Sequence, residues 1–188
     1  MARRKRDHLV GTALELFMRD GYHATGIDRI LAEAGVAKMT LYNNFKSKEA
    51  LIVAALERRD ADFSAWFEAR VEALGATPAE RLLALFDALD EWVAGDFHGC
   101  PFVKACGEYD DVADPVHAAA LAHKRRMFVF IRRLAEAAGV DDPAQLAGEL
   151  FLLLEGATIV AQVTRDRSTA RRARAAAETL VAASLTAP

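Results

Sequence analysis

The chain has 188 residues, 53% hydrophobic and 27% charged, which excludes a disordered segment and leaves room for one large or two small domains. A net charge of −3 argues on its face against a nucleic-acid binder, but residues 1–48 hold nine Lys or Arg against five Asp or Glu, a net of +4, and the remainder carries −7. A basic front on an acidic body suits a protein that turns its first part toward phosphate, and two cysteines give no disulfide framework and point to the cytoplasm.

The basic start, Ala2 to Arg6, reads either as a frayed terminus or as an arm on DNA; Asp7, Glu15 and Arg19 exclude a signal peptide. A first helix is expected from about Asp7 to Arg19, with Leu9, Val10, Ala13, Leu14, Leu16 and Phe17 as its buried stripe and Gly21 as its end. Thr25 is a good N-cap, supported by Asp28, for a short helix whose Ile27, Ile30, Leu31 and Ala34 recur at helical spacing. Gly35 supplies a tight turn. The next helix, about Lys38 to Phe45, buries Leu41 and Phe45 and so presents Met39, Thr40, Tyr42 and Asn43 outward. Two short helices around a glycine turn are the grammar of a helix-turn-helix, whose second helix enters the DNA major groove. An amide there can bond adenine N6 and N7 together, and a Met or Thr methyl can touch a thymine methyl. Lys38 can reach a guanine or a phosphate. Ser47 caps the following helix, so Lys48 and the free amides of that first turn can face a phosphate.

From Gly21 to Leu51 the run GYHATGIDRILAEAGVAKMTLYNNFKSKEAL resembles the DNA-binding domain of the TetR family of transcriptional regulators. Thr40, Leu41, Tyr42, Phe45, Ser47, Lys48, Glu49 and Leu51 carry the signature. The resemblance implies an all-α homodimer of about nine helices that binds a palindromic operator and usually represses, with a DNA-binding domain over 1–47 and a ligand-binding and dimerising domain over 48–188. Thr25, Lys38, Met39, Thr40, Tyr42, Asn43, Asn44 and Lys48 are the DNA-contact candidates. The family often places an aromatic residue or histidine where Asn43-Asn44 stands, so the operator is expected to differ.

A long helix should follow Ser47 to Leu74 and be stopped by Gly75. Thr77-Pro78-Ala79-Glu80 is a strong start for the next one, and further starts fall at Pro101, Asp114-Pro115, Asp142-Pro143 and Ser168. Lys124, Arg125, Arg126, Arg132 and Arg133 read as a solvated face. No uninterrupted apolar run is expected to span a bilayer. The apolar surface near the C-terminus looks too broad for one neighbour. Leu146, Leu150, Leu153, Ala157, Val160 and Leu180 are therefore candidates for a four-helix bundle across a two-fold axis, the alternative being an intramolecular core.

In the family fold the body helices surround a ligand cavity. On that resemblance Phe63, Trp66, Phe67, Phe86, Trp92, Phe102, Cys106, Tyr109 and Phe128 are candidate walls for a hydrophobic or planar small molecule. Glu155, alone in an apolar run, would face a cationic ligand or the dimer partner. His98, Cys100 and Cys106 fall short of a zinc set, and no metal or cofactor is expected. The two cysteines leave open a thiol-responsive regulator or a small helical redox protein, but no nucleophile, base and orienter assemble into an enzyme.

Overall fold

A computed structural model describes residues 2–95 and 97–185, with the side chains of Ala2 and Arg3 outside the description. Among the described residues there are nine helices and no strand: α1 (Ala2–Asp20), α2 (Ile27–Ala34), α3 (Lys38–Asn44), α4 (Lys48–Leu74), α5 (Pro78–Ala94), α6 (Pro101–Glu108), α7 (Pro115–Ala138), α8 (Pro143–Thr164) and α9 (Thr169–Leu185). The helix starts read from the sequence are mostly built as expected. Thr77 and Glu80 form a reciprocal capping box on α5, Asp142 accepts from the Gln145 N–H at 2.9 Å, and Ser47 Oγ accepts from the Ala50 N–H at 3.2 Å.

Two starts differ. Helix α1 begins at Ala2, because Ala, Arg and Lys are good helix formers, so the expected basic arm is a helical extension. The N-cap of α2 is Gly26, with no side-chain cap bond. Thr25 is fully buried, and its hydroxyl donates to the Gly21 carbonyl at 2.7 Å. That bond satisfies a carbonyl left over at the end of α1, which removes Thr25 from both its expected roles, cap and DNA contact.

The chain forms two compact units. The first comprises the residues up to Asp62 together with Pro101–His123; the second comprises Phe63–Cys100 and the residues from Lys124 onward. The expected boundary at 47/48 falls at the start of α4, well before this division. In the first unit α1, α2 and α3 pack on one another around Leu9, Phe17, Tyr22, Ile30 and Leu41, each fully buried.

In the second unit α9 packs on α5 and α8. Its core takes Leu85, Phe86, Leu89, Leu146, Leu150, Leu154, Ala157 and Val181. Leu146, Leu150 and Ala157 are at most 7% exposed within their own protomer, so they leave the candidate interface: their face of α8 turns inward. Leu153 and Leu180 are half-buried against the same core. Val160 stands on the other side of α8 with Leu152, Gly156 and Val163, all exposed at helical spacing. By length and composition α8 is apolar enough to cross a membrane, contrary to expectation. Two glutamates do not offset its leucines, alanines and valines, and the inner half of those residues is core here.

Candidate nucleic-acid interface

Helix α3 stands on two anchors. Leu41 is fully buried, and Phe45, just past the helix in an extended conformation, is 5% exposed. The opposite face is open: Met39 is 68% exposed and Tyr42 50%, and Lys38, Asn43 and Asn44 are exposed beside them. Thr40 is half-buried, and its carbonyl accepts from the Asn44 side-chain amide at 2.7 Å, so that amide closes the helix end. Asn43 makes no such bond among those described, and its side chain is exposed. The Lys38 ammonium lies 3.8 Å from the Asp28 carboxylate on α2, an exposed pair of the kind that contributes little to stability.

Beside α3 the turn after α1 is held by α6, some eighty residues on. The Glu108 carboxylate accepts from the backbone N–H of Tyr22 at 2.9 Å and of His23 at 2.5 Å. The His23 ring meets the Glu108 carbonyl at 2.8 Å and stacks on Tyr109, with ring centroids 4.6 Å apart. Tyr22 Oη donates to the Pro101 carbonyl, and Lys104 Nζ donates to the Met18 carbonyl. Lys48 Nζ donates to the His23 carbonyl at 3.2 Å, which holds the ammonium at the start of α4. Burial, with Glu49, Glu108 and Asp114 adding to it, pushes the Tyr109 hydroxyl up to about 12. Glu49 is held below the usual carboxylate range by its own backbone N–H and by the Ser47 hydroxyl. Nothing in the sequence marks Glu108, because one half-buried acid at a helix end has no periodicity to betray it.

The candidate effector residues divide between the units. In the first, Phe102 stacks face to face on His123 at 3.7 Å, Tyr109 lies on His23, and Cys106 is half-buried. His123 Nδ1 is 2.8 Å from a carboxylate oxygen of Asp60, both buried. No local pattern joins this pair in the sequence either, although Asp60 falls four residues after Leu56 and His123 four before Met127, both core positions. In the second unit Phe63 lies against Trp92 at 5.0 Å and Phe67 at 5.4 Å, Phe128 meets Phe151 edge-on, and Phe86 is fully buried. Trp66, expected as a wall, is 39% exposed. These rings fill space, and the two cavities described in this unit lie elsewhere. One of about 340 Å³ is bordered by Asp141, Asp142, Glu149 and Leu180, the other of about 190 Å³ by Phe97, Arg165 and Arg167.

Glu155 has its partner within the second unit: it pairs with Lys124 of α7. Lys124 is thus no part of a solvated face; its Nζ also lies 3.6 Å from Cys100 Sγ, which is buried. Cys100 just precedes α6 and Cys106 lies within it.

A short helix raised on two hydrophobic pegs, its open face carrying an amide, a phenol, a thioether and an ammonium, belongs to a helix-turn-helix protein that reads DNA. The chain matches the family described as bacterial regulatory proteins, tetR family, over residues 9–55, and the tetracyclin repressor-like C-terminal domain over residues 78–177. It therefore belongs to the TetR family of transcriptional regulators, which are not enzymes. It is similar to the regulator YjdC of Escherichia coli K12, at 28% identity over 94% of this chain and 93% of that one. The transcriptional repressor NemR of the same organism is 26% identical over 94% of each chain; its reduced-form crystal structure superposes with a TM-score of 0.82, at 25% identity over 94% of this chain and 96% of that one. SCO4454, a TetR-family regulator from Streptomyces coelicolor, superposes with a TM-score of 0.88 at 30% identity over 96% of each chain.

Proposed function

We propose that this regulator is a repressor that binds a palindromic operator as a homodimer and is released by a small hydrophobic or aromatic effector. The observation that carries the DNA half is the open face of α3, with Met39, Tyr42 and Asn43 raised clear of the fold. Asn43 would read a base edge, Met39 a thymine methyl, and Tyr42, Lys38 and Lys48 the backbone. Two copies of α3 would enter successive major grooves roughly 34–36 Å apart. The homodimer is supported by the apolar stripe Leu152, Gly156, Val160 and Val163 on α8, next to the exposed small residues Ala175, Ala176, Thr179 and Ala183 of α9. The relative NemR is a transcriptional repressor, which supports the sign of regulation. Such a protein works in the bacterial cytoplasm, where its operator is. An effector needs only unequal affinity for the two arrangements of the dimer. Selection of duplexes from a random pool by the purified protein tests the reading. A two-fold symmetric site supports it, and a site without symmetry or no enrichment overturns it.

A second reading has one observation of its own: the Lys124 ammonium beside the buried Cys100 sulfur. Reactive thiols sit beside such cations, which makes Cys100, rather than a Cys100–Cys106 bridge, the group to test. Cys100→Ser separates the readings. A thiol-responsive regulator loses release by oxidants or electrophiles and keeps DNA binding, whereas a regulator with a non-covalent effector keeps both.

A further inference from the structure

Glu108 is far from α3 in sequence and is bonded to neither α3 nor α4, yet it occupies the one turn to which Lys48 is bonded. Its two carboxylate oxygens take the two adjacent N–H groups of Tyr22 and His23, and the His23 ring closes back on its carbonyl. The carbonyl of that same His23 takes the Lys48 ammonium, which keeps further N–H groups for another acceptor. Gly21, at φ +92°, brings the turn close enough that a Cβ there would lie 3.1 Å from Glu108 Oε1. A charge-assisted, two-pronged bond fixes geometry as well as energy.

We propose that Glu108 is a positioning residue for DNA binding: it holds the His23 turn, and through the His23 carbonyl it aims Lys48 at a phosphate. The proposal rests on the reading of Lys48 as a backbone contact. It carries a sign that charge alone does not. Removing a carboxylate from the DNA-reading unit should, by long-range electrostatics, strengthen binding to a polyanion. Removing a positioning group weakens it.

The test measures binding of the full-length protein to a mixed-sequence duplex of about thirty base pairs, long enough for two successive grooves, across a salt series. Glu108→Gln keeps the volume but sets an amide NH₂ against a backbone donor. Glu108→Asp keeps the charge and withdraws it by one methylene, so it serves if the first variant misfolds. Each, like Lys48→Ala, is expected to weaken binding about three- to tenfold and to lower the salt slope by about one unit or less. The double variant Glu108→Gln/Lys48→Ala binds no worse than Lys48→Ala alone, whereas Lys38→Ala adds to Glu108→Gln in full. Faster amide exchange at Tyr22 and His23 with unchanged core protection shows that the defect is local. Unchanged or tighter binding by Glu108→Gln overturns the proposal, as does a loss that adds to that of Lys48→Ala. If Lys48→Ala itself changes neither affinity nor slope, the backbone reading of Lys48 fails first; if it weakens binding and the Glu108 variants do not, the role of Glu108 alone is refuted.

Discussion

Gly99 stands just ahead of Cys100 and α6 with φ +90°, a conformation that L side chains avoid. A Cβ at this position would lie 2.3 Å from Gln162 Cδ and 2.4 Å from its Oε1, the oxygen that accepts from the Cys100 N–H at 3.3 Å. Gly99→Ala therefore carries two costs. The left-handed backbone costs an alanine about 1–2 kcal/mol. Displacing Gln162 leaves the Cys100 N–H, on a buried residue, without its acceptor, which costs about 1–3 kcal/mol. The total, roughly 2–5 kcal/mol, lowers the melting midpoint of a chain this long by on the order of 10 °C. Calorimetry of Gly99→Ala and of Gln162→Ala separates the costs, because Gln162→Ala takes the acceptor from the Cys100 N–H and leaves the glycine backbone as it is. A midpoint for Gly99→Ala within about 1 °C of the unaltered protein would refute the close approach. An unchanged midpoint for Gln162→Ala would assign the whole loss in Gly99→Ala to the backbone.

Asn43→Ala should relax base preference at particular operator positions by about 1–3 kcal/mol of discrimination, while Tyr42→Ala weakens binding to all duplexes alike; a selected site unchanged by Asn43→Ala refutes the assignment of that face. Leu152→Asp places a charge on the exposed stripe of α8 and should give monomers by sedimentation with an unchanged protomer melt, whereas a persisting dimer moves the interface elsewhere. The raised Tyr109 hydroxyl predicts a stability term that is whole below pH 10 and lost as pH climbs toward about 12, because the unfolded chain releases this proton first. Tyr109→Phe should flatten that alkaline decline, and an identical decline in the variant excludes Tyr109 as its source.

Helix boundaries were legible because they rest on local chemistry. Thr77, Glu80, Asp142 and Ser47 act within four residues of themselves, and a window of sequence contains the whole interaction. The open face of α3 was legible for the same reason, since Leu41 and Phe45 suffice to orient seven residues. Thr25 misled because a threonine before a helix has two possible uses for its hydroxyl, and only the fold shows that the Gly21 carbonyl claims it. Glu155 looked isolated because Lys124 is 31 residues away on another helix. The candidate interface was half wrong because α8 is apolar all round, so that periodicity could not say which face the chain keeps for itself.

The first unit draws on two separated stretches of chain, and this orders events during synthesis. When the ribosome has delivered the residues up to Asp62, the Tyr22 and His23 amides and the Met18 carbonyl still lack Glu108 and Lys104. At bacterial elongation rates the missing stretch emerges roughly three to twelve seconds later. Until then the nascent chain can shape its reading helix but cannot seat the turn that leads into it, so a newborn copy finishes its DNA-facing part only after most of the second unit's first helices have also left the exit tunnel.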